Sequence, residues 1–202
     1  FIRRQQITRA IRFVSISLGV WGVINLPFII FNQAGWWRFF KLNSERTADF
    51  GSLWYALQIF GVNVRNLNMI SILNLLVGFA AFAVYYFGLS RTPTLATSAF
   101  TVFAIFTIAN KVYSPQYVLW LTALAVIAIK TKPTLVIFWI WQMAELIYHV
   151  AIWQYLATIS NAHFGLSQSL YGAISLIRLA ASIAMIYSLT RQLSQARSAQ
   201  AK

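Results

Sequence analysis

Cysteine is absent from this chain of 202 residues, and acid is almost absent: two glutamates and one aspartate face sixteen lysines and arginines. Without cysteine there can be no disulfide, no thiolate metal ligand and no cysteine nucleophile. Two histidines and three carboxylates are too few for an all-protein metal cage, so neither metal nor cofactor is expected. The glycine-rich phosphate loop, H-E-x-x-H and G-x-S-x-G are also missing, which excludes nucleotide hydrolysis within the chain. Charged residues amount to 9%, against about 25% in a soluble domain. A soluble surface cannot be built from so little charge.

What is present is apolar surface, at 59% of residues. Disorder is excluded by that figure, and the fold class expected is all-α: a polytopic membrane protein in the lipid bilayer, forming one transmembrane domain over 1–202. The net charge of +13 fits topogenic cations and anionic headgroups. Nucleic acid is not an expected partner, because no basic patch is interleaved with a soluble fold. Six segments approach the length a spanning helix needs: Phe13–Phe31, Met69–Leu89, Thr94–Ala109, Tyr117–Ile129, Thr134–Ala157 and Ser169–Thr190. The third and fourth are short, and a re-entrant pair is the alternative for them. With both termini cytoplasmic, ten cations fall inside: Arg3, Arg4, Arg9, Arg12, Arg91, Lys130, Lys132, Arg191, Arg197 and Lys202. Arg38, Lys41, Arg46, Arg65 and Lys111 fall outside. That bias follows the positive-inside pattern.

The outer connection 32–68 is long enough to suggest a working face. Leu53, Trp54, Leu57 and Phe60 recur at helical spacing, predicting a short interfacial helix over Gly51–Phe60. Its other aromatics suit a belt at headgroup level.

Three constellations can carry chemistry. The first holds Glu45, Arg46 and Asp49: a carboxylate for general base work and a guanidinium fork for phosphate, or else a helix cap beside a surface ion pair. The second is Asn110, Lys111, Tyr113, Ser114 and Gln116 around Pro115, expected at the outer face. There a lysine can meet phosphate while its neighbours hydrogen-bond, or the run is a polar turn with a snorkelling lysine. The third is intramembrane: Glu145 and Arg178, each costing about 2.5–3.5 kcal/mol if turned to lipid. Trp141, Glu145 and His149 share one helical face. An internal Glu145–Arg178 pair is expected, with a polar cavity leading past His149 as the functional alternative.

The run Asn110–Trp120, N-K-V-Y-S-P-Q-Y-V-L-W, resembles the signature near the end of actinobacterial GT-C glycosyltransferases, the polyprenyl-phosphate-mannose-dependent mannosyltransferases in particular. Asn25-Leu26-Pro27-Phe28, Gly35-Trp36-Trp37 and Arg46…Asp49…Gly51-Ser52-Leu53-Trp54-Tyr55 are similar to that family as well. The resemblance implies transfer of a mannose-like sugar from a polyprenyl-phosphate donor to a glycolipid or glycan acceptor, on the extracytoplasmic face of a bacterial plasma membrane. Lys111 and Arg46 would hold the donor phosphate. Asn110, Tyr113, Ser114 and Gln116 would position phosphate and sugar oxygens. The family carries its acidic catalytic residue in an early outer loop, and nothing in Phe1–Arg12 resembles that loop. The chain is therefore expected to be a C-terminal portion completed by the N-terminal remainder of the same enzyme, with Asp49 as the substitute base. A small transporter or flippase subunit with Glu145 and Arg178 lining its path, and a non-catalytic membrane scaffold, are the competing classes.

Overall fold

The computed structural model describes residues 6–88 and 92–198, and among them every regular element is an α-helix. In chain order these are α1 (Ile7–Phe31), α2 (Gln33–Glu45), α3 (Leu53–Ile59), α4 (Leu67–Gly88), α5 (Leu95–Ala109), α6 (Tyr117–Ala128), α7 (Lys132–Ile159) and α8 (Gln168–Ser198). Four of them, α1, α4, α7 and the Gln168–Gln192 part of α8, are long and apolar enough to cross a membrane. The protein is an all-α, polytopic membrane protein. Of the residues used for orientation, Arg3, Arg4, Arg91 and Lys202 lie outside the described residues, as does Leu89.

The chain divides into two compact units, Phe1–Arg46 and Thr47–Lys202. In the first, α1 starts six residues before the expected Phe13 and carries Arg9 and Arg12 within it. Asn32 alone separates it from α2, and the Asn32 side chain caps α2 by accepting from the Gly35 amide at 2.9 Å. The Trp36 indole donates to Asn25 Oδ1 at 2.9 Å, tying α2 back onto α1.

In the second unit the caps are read directly from sequence. Thr94 accepts from the Thr97 amide to start α5, and Thr131 accepts from the Thr134 amide to start α7. Pro133 sits in that first turn, where its missing N–H costs nothing. Helices α7 and α8 run antiparallel in close contact. Their register is fixed by Ser188 donating to Thr134 (3.0 Å), Trp141 to Ser182 (3.2 Å), and the Glu145–Arg178 pair. The return between them needs Gly165, whose φ is +147° and whose absent Cβ would meet the Gln154 carbonyl and the Thr158 backbone. Phe100, Ala104, Leu121, Ala125, Phe138, Trp141, Met185 and Leu189 form the core between α5, α6, α7 and α8. Small residues at 104 and 125 suit the close helix approach of a membrane bundle.

The connection 32–68 holds two helices, and the short helix read over Gly51–Phe60 is α3. Helix α3 packs against α8, burying Trp54 and Ala56 while Phe60 stays exposed. The Trp54 indole donates to the Ala109 carbonyl at 3.1 Å, so a polar anchor chose the inward face. The strongly aromatic helix is α2, where Trp36, Trp37, Phe39 and Phe40 make a run of ring contacts.

Helices α5 and α6 have 15 and 12 residues, about 22 and 18 Å at 1.5 Å per residue, short of a hydrocarbon layer of about 30 Å, the length that a re-entrant pair would have. Their connecting turn meets Glu145, 13 residues into α7, about 20 Å from the Lys132 end. The turn therefore stands level with the middle of α7, bonded to the 47–52 segment through the Asp49 amide and the Lys111 carbonyl.

Candidate functional site

Glu145 is 2% exposed and Arg178 1% exposed, and both sit mid-helix in apolar neighbourhoods. Their side chains approach to 3.7 Å, as the sequence leads one to expect. The carboxylate also accepts from the Tyr113 hydroxyl, 3.0 Å to each oxygen, and from the Trp141 indole at 3.2 Å. Arg178 donates to the Gly51 carbonyl at 2.6 Å. Its guanidinium lies 3.7 Å from the centre of the Tyr113 ring and 4.6 Å from that of Tyr148, within cation–π range.

This arrangement joins the 47–52 segment, the α5–α6 turn and the intramembrane pair. Gly51 belongs to the outer loop, Tyr113 to the α5–α6 turn, and the ion pair to α7 and α8. A second link is made by backbone: the Asp49 amide donates to the Lys111 carbonyl at 2.8 Å. Asp49 is half-buried, with Oδ1 accepting from the Phe50 amide at 3.0 Å. Ser52, not Asp49, is the cap of α3, accepting from the Tyr55 amide.

Lys111 is buried and held by a side-chain partner. It is 8% exposed and donates through Nζ to Asn68 Oδ1, at the start of α4. Asn110 closes α5 and its Oδ1 accepts from the Val112 amide at 3.2 Å. Ser114 is half-buried, and Gln116 is exposed at the start of α6 without a capping bond. His149 is half-buried with Nδ1 at 2.7 Å from the Glu145 carbonyl. Arg46 closes α2 in the first unit and is exposed. Among the described residues no group of three His, Asp or Glu side chains could hold a metal.

Beyond the ion pair, Tyr148, Tyr155 and Tyr171 are buried with Tyr113. Tyr155 and Tyr171 stack at 4.4 Å, and Tyr171 donates to the Phe50 carbonyl at 2.8 Å. The Tyr55 and Tyr155 hydroxyls meet at 2.8 Å, and burial raises the Tyr55 phenol. Sequence reasoning named Gly51 only as part of a loop motif, and singled out neither Asn68 as a partner nor this tyrosine group. Tyr148, Tyr155 and the known Trp141 and Glu145 do repeat on α7 at spacings of three, four and seven, a usable signal that reads equally well as apolar core.

Comparison of the chain with protein-family models, with characterised proteins and with solved structures returned no match.

Proposed function

We propose that this chain works as the membrane part of a glycosyltransferase, moving a mannose-like sugar from a polyprenyl-phosphate donor to a glycolipid or glycan acceptor. Both termini are then cytoplasmic and the working face extracytoplasmic, in a bacterial plasma membrane. The observation that carries the reading is the Asp49–Lys111 backbone bond of 2.8 Å. It sets the outer-loop carboxylate beside the N-K-V-Y-S-P-Q-Y run whose resemblance suggests the chemistry.

Displacing a polyprenyl phosphate needs a base for the acceptor hydroxyl and positive charge at the departing phosphate. In this reading Lys111, oriented by Asn68, supplies the charge, and Ser114 and Gln116 hydrogen-bond the phosphate or sugar oxygens. Asp49, or an acidic residue from the remainder of the enzyme, takes the proton. Tyr113, Glu145 and Arg178 act through position: they hold the turn and the loop together and touch no substrate. A transport path lined by Glu145 and Arg178 is the weaker reading, because those charges are engaged by each other and by Tyr113, Trp141 and Gly51.

Sugar transfer from radiolabelled polyprenyl-phosphate mannose, measured on membranes holding the whole protein, tests this. The Ser114→Ala, Gln116→Ala double variant is expected to lose about tenfold or more in kcat/KM, 1.4 kcal/mol of barrier, at unchanged abundance. Glu145→Gln is expected to lower the amount of folded protein instead. Full transfer by the double variant and by Asp49→Asn alike would refute the assignment, as would uptake lost in Glu145→Gln from a protein without transferase activity.

A further inference from the structure

Away from that site, a cavity of about 510 Å³ opens between the start of α7 and the end of α8. Its lining is graded. Thr131, Ser188, Arg191 and Gln192 lie toward the helix ends, and Val136, Ile137 and Ala184 lie about a turn further in on both helices. The antiparallel register sets this order, since Thr134 faces Ser188 at 3.0 Å while the chain runs inward on α7 and outward on α8. One end of the cavity is thus polar and cationic, and the other is apolar.

The polar end is a built structure. Gln192 is 5% exposed; its amide donates to the Ala128 carbonyl at 2.7 Å and accepts from the Lys130 amide at 3.1 Å. This fixes the α6–α7 connection against α8 and sets Lys130 and Lys132 on either side of Thr131. The Arg191 guanidinium lies 6.0 Å from the centre of the Tyr187 ring, which also lines the cavity. No carboxylate is among the lining residues. The polar end falls where both spans leave their apolar stretch, α7 beginning at Lys132 and the apolar part of α8 ending at Gln192. That is the headgroup level of a bilayer.

We propose that this cavity binds an anionic phospholipid, with its phosphate among Arg191, Thr131 and Ser188, at the rim next to Lys132 in the chain, and its acyl chain along Val136, Ile137 and Ala184. A free anion has no use for the apolar inner half, and a neutral lipid has no use for the cations. Basic pockets between spans select acidic headgroups because each cation near the surface adds about 1 kcal/mol of attraction. The site is independent of the sugar-transfer reading and stands or falls separately.

The test is native mass spectrometry of the whole protein released from nanodiscs of phosphatidylcholine mixed with phosphatidylglycerol. Retention of phosphatidylglycerol above its share in the bilayer is expected. Arg191→Gln and Lys132→Gln are each expected to lower its apparent affinity by about fivefold, and Ala184→Trp to abolish retention by filling the apolar half. All three positions are exposed, so the fold should survive. Arg38→Gln with Lys41→Gln, which removes two positive charges from α2 where each test variant removes one, should leave retention unchanged. Equal loss in that control, unchanged retention in Ala184→Trp, or displacement of the lipid by inorganic phosphate would each overturn the proposal.

Discussion

The most consequential residue is Arg178. A guanidinium 1% exposed is stable only while its partners neutralise and solvate it, and here they come from three separate segments, α7, the 47–52 segment and the α5–α6 turn. Removing one member of a buried pair leaves the other charge uncompensated, at about 3–5 kcal/mol. Arg178→Met is therefore expected to lower thermal stability in detergent sharply, and Glu145→Gln on top of it to recover a good part of the loss. A double variant no more stable than the single one would show that the pair is not what holds the bundle together. The sequence displayed this pair openly, because a charge near the centre of an apolar run has few acceptable surroundings. It did not display Asn68 as the partner of Lys111. An asparagine near the start of an apolar helix is ordinary, and 43 positions separate the two residues.

At the scale of elements, the loop from Thr47 to Phe60 behaves as an inserted part. Helix α3 has only seven residues, too few to be stable alone, and it persists through Trp54, the Ser52 cap and packing on α8. Gly51 is the tight point: a Cβ there would meet the Tyr148 hydroxyl and come within 2.8 Å of Tyr113 Cδ1. Its role is close approach, not unusual backbone. Gly51→Ala is expected to cost about 1–3 kcal/mol through overpacking, and to shift the tyrosine near-ultraviolet dichroism as Tyr113 and Tyr148 give way. An unperturbed spectrum with full stability would mean the loop does not enter between those rings. Helical spacing located α3 almost to the residue and put Trp54 in its stripe. Periodicity registers the apolar side, but not that the Trp54 indole reaches the Ala109 carbonyl and that Phe60 stays exposed. Helix α2 escaped the same reading because its aromatics surround too much of the helix to define a stripe.

For the whole molecule, charge placement is the quantity that can be checked most directly. A chain without cysteine needs no background substitutions before single cysteines are introduced and labelled with an impermeant maleimide on intact cells. Asn43→Cys is expected to label from outside, and Lys130→Cys only after the membrane is opened. The reverse pattern would invert the orientation and with it the working face. Class and the positions of the four long apolar helices were legible in the sequence alone, since 59% apolar residues with almost no acid have one solvent in which to fold, and a crossing helix takes its length from bilayer thickness. Sequence also isolated the three polar groups, because each is conspicuous against lipid-compatible surroundings. Only the tertiary structure decided that the 47–52 segment, the α5–α6 turn and the ion pair meet, level with the middle of α7, with Lys111 turned to Asn68 and Gly51 to Arg178. Buried polar groups must find partners wherever the chain can bring them, and contacts spanning 127 positions, as from Gly51 to Arg178, leave no trace in local spacing.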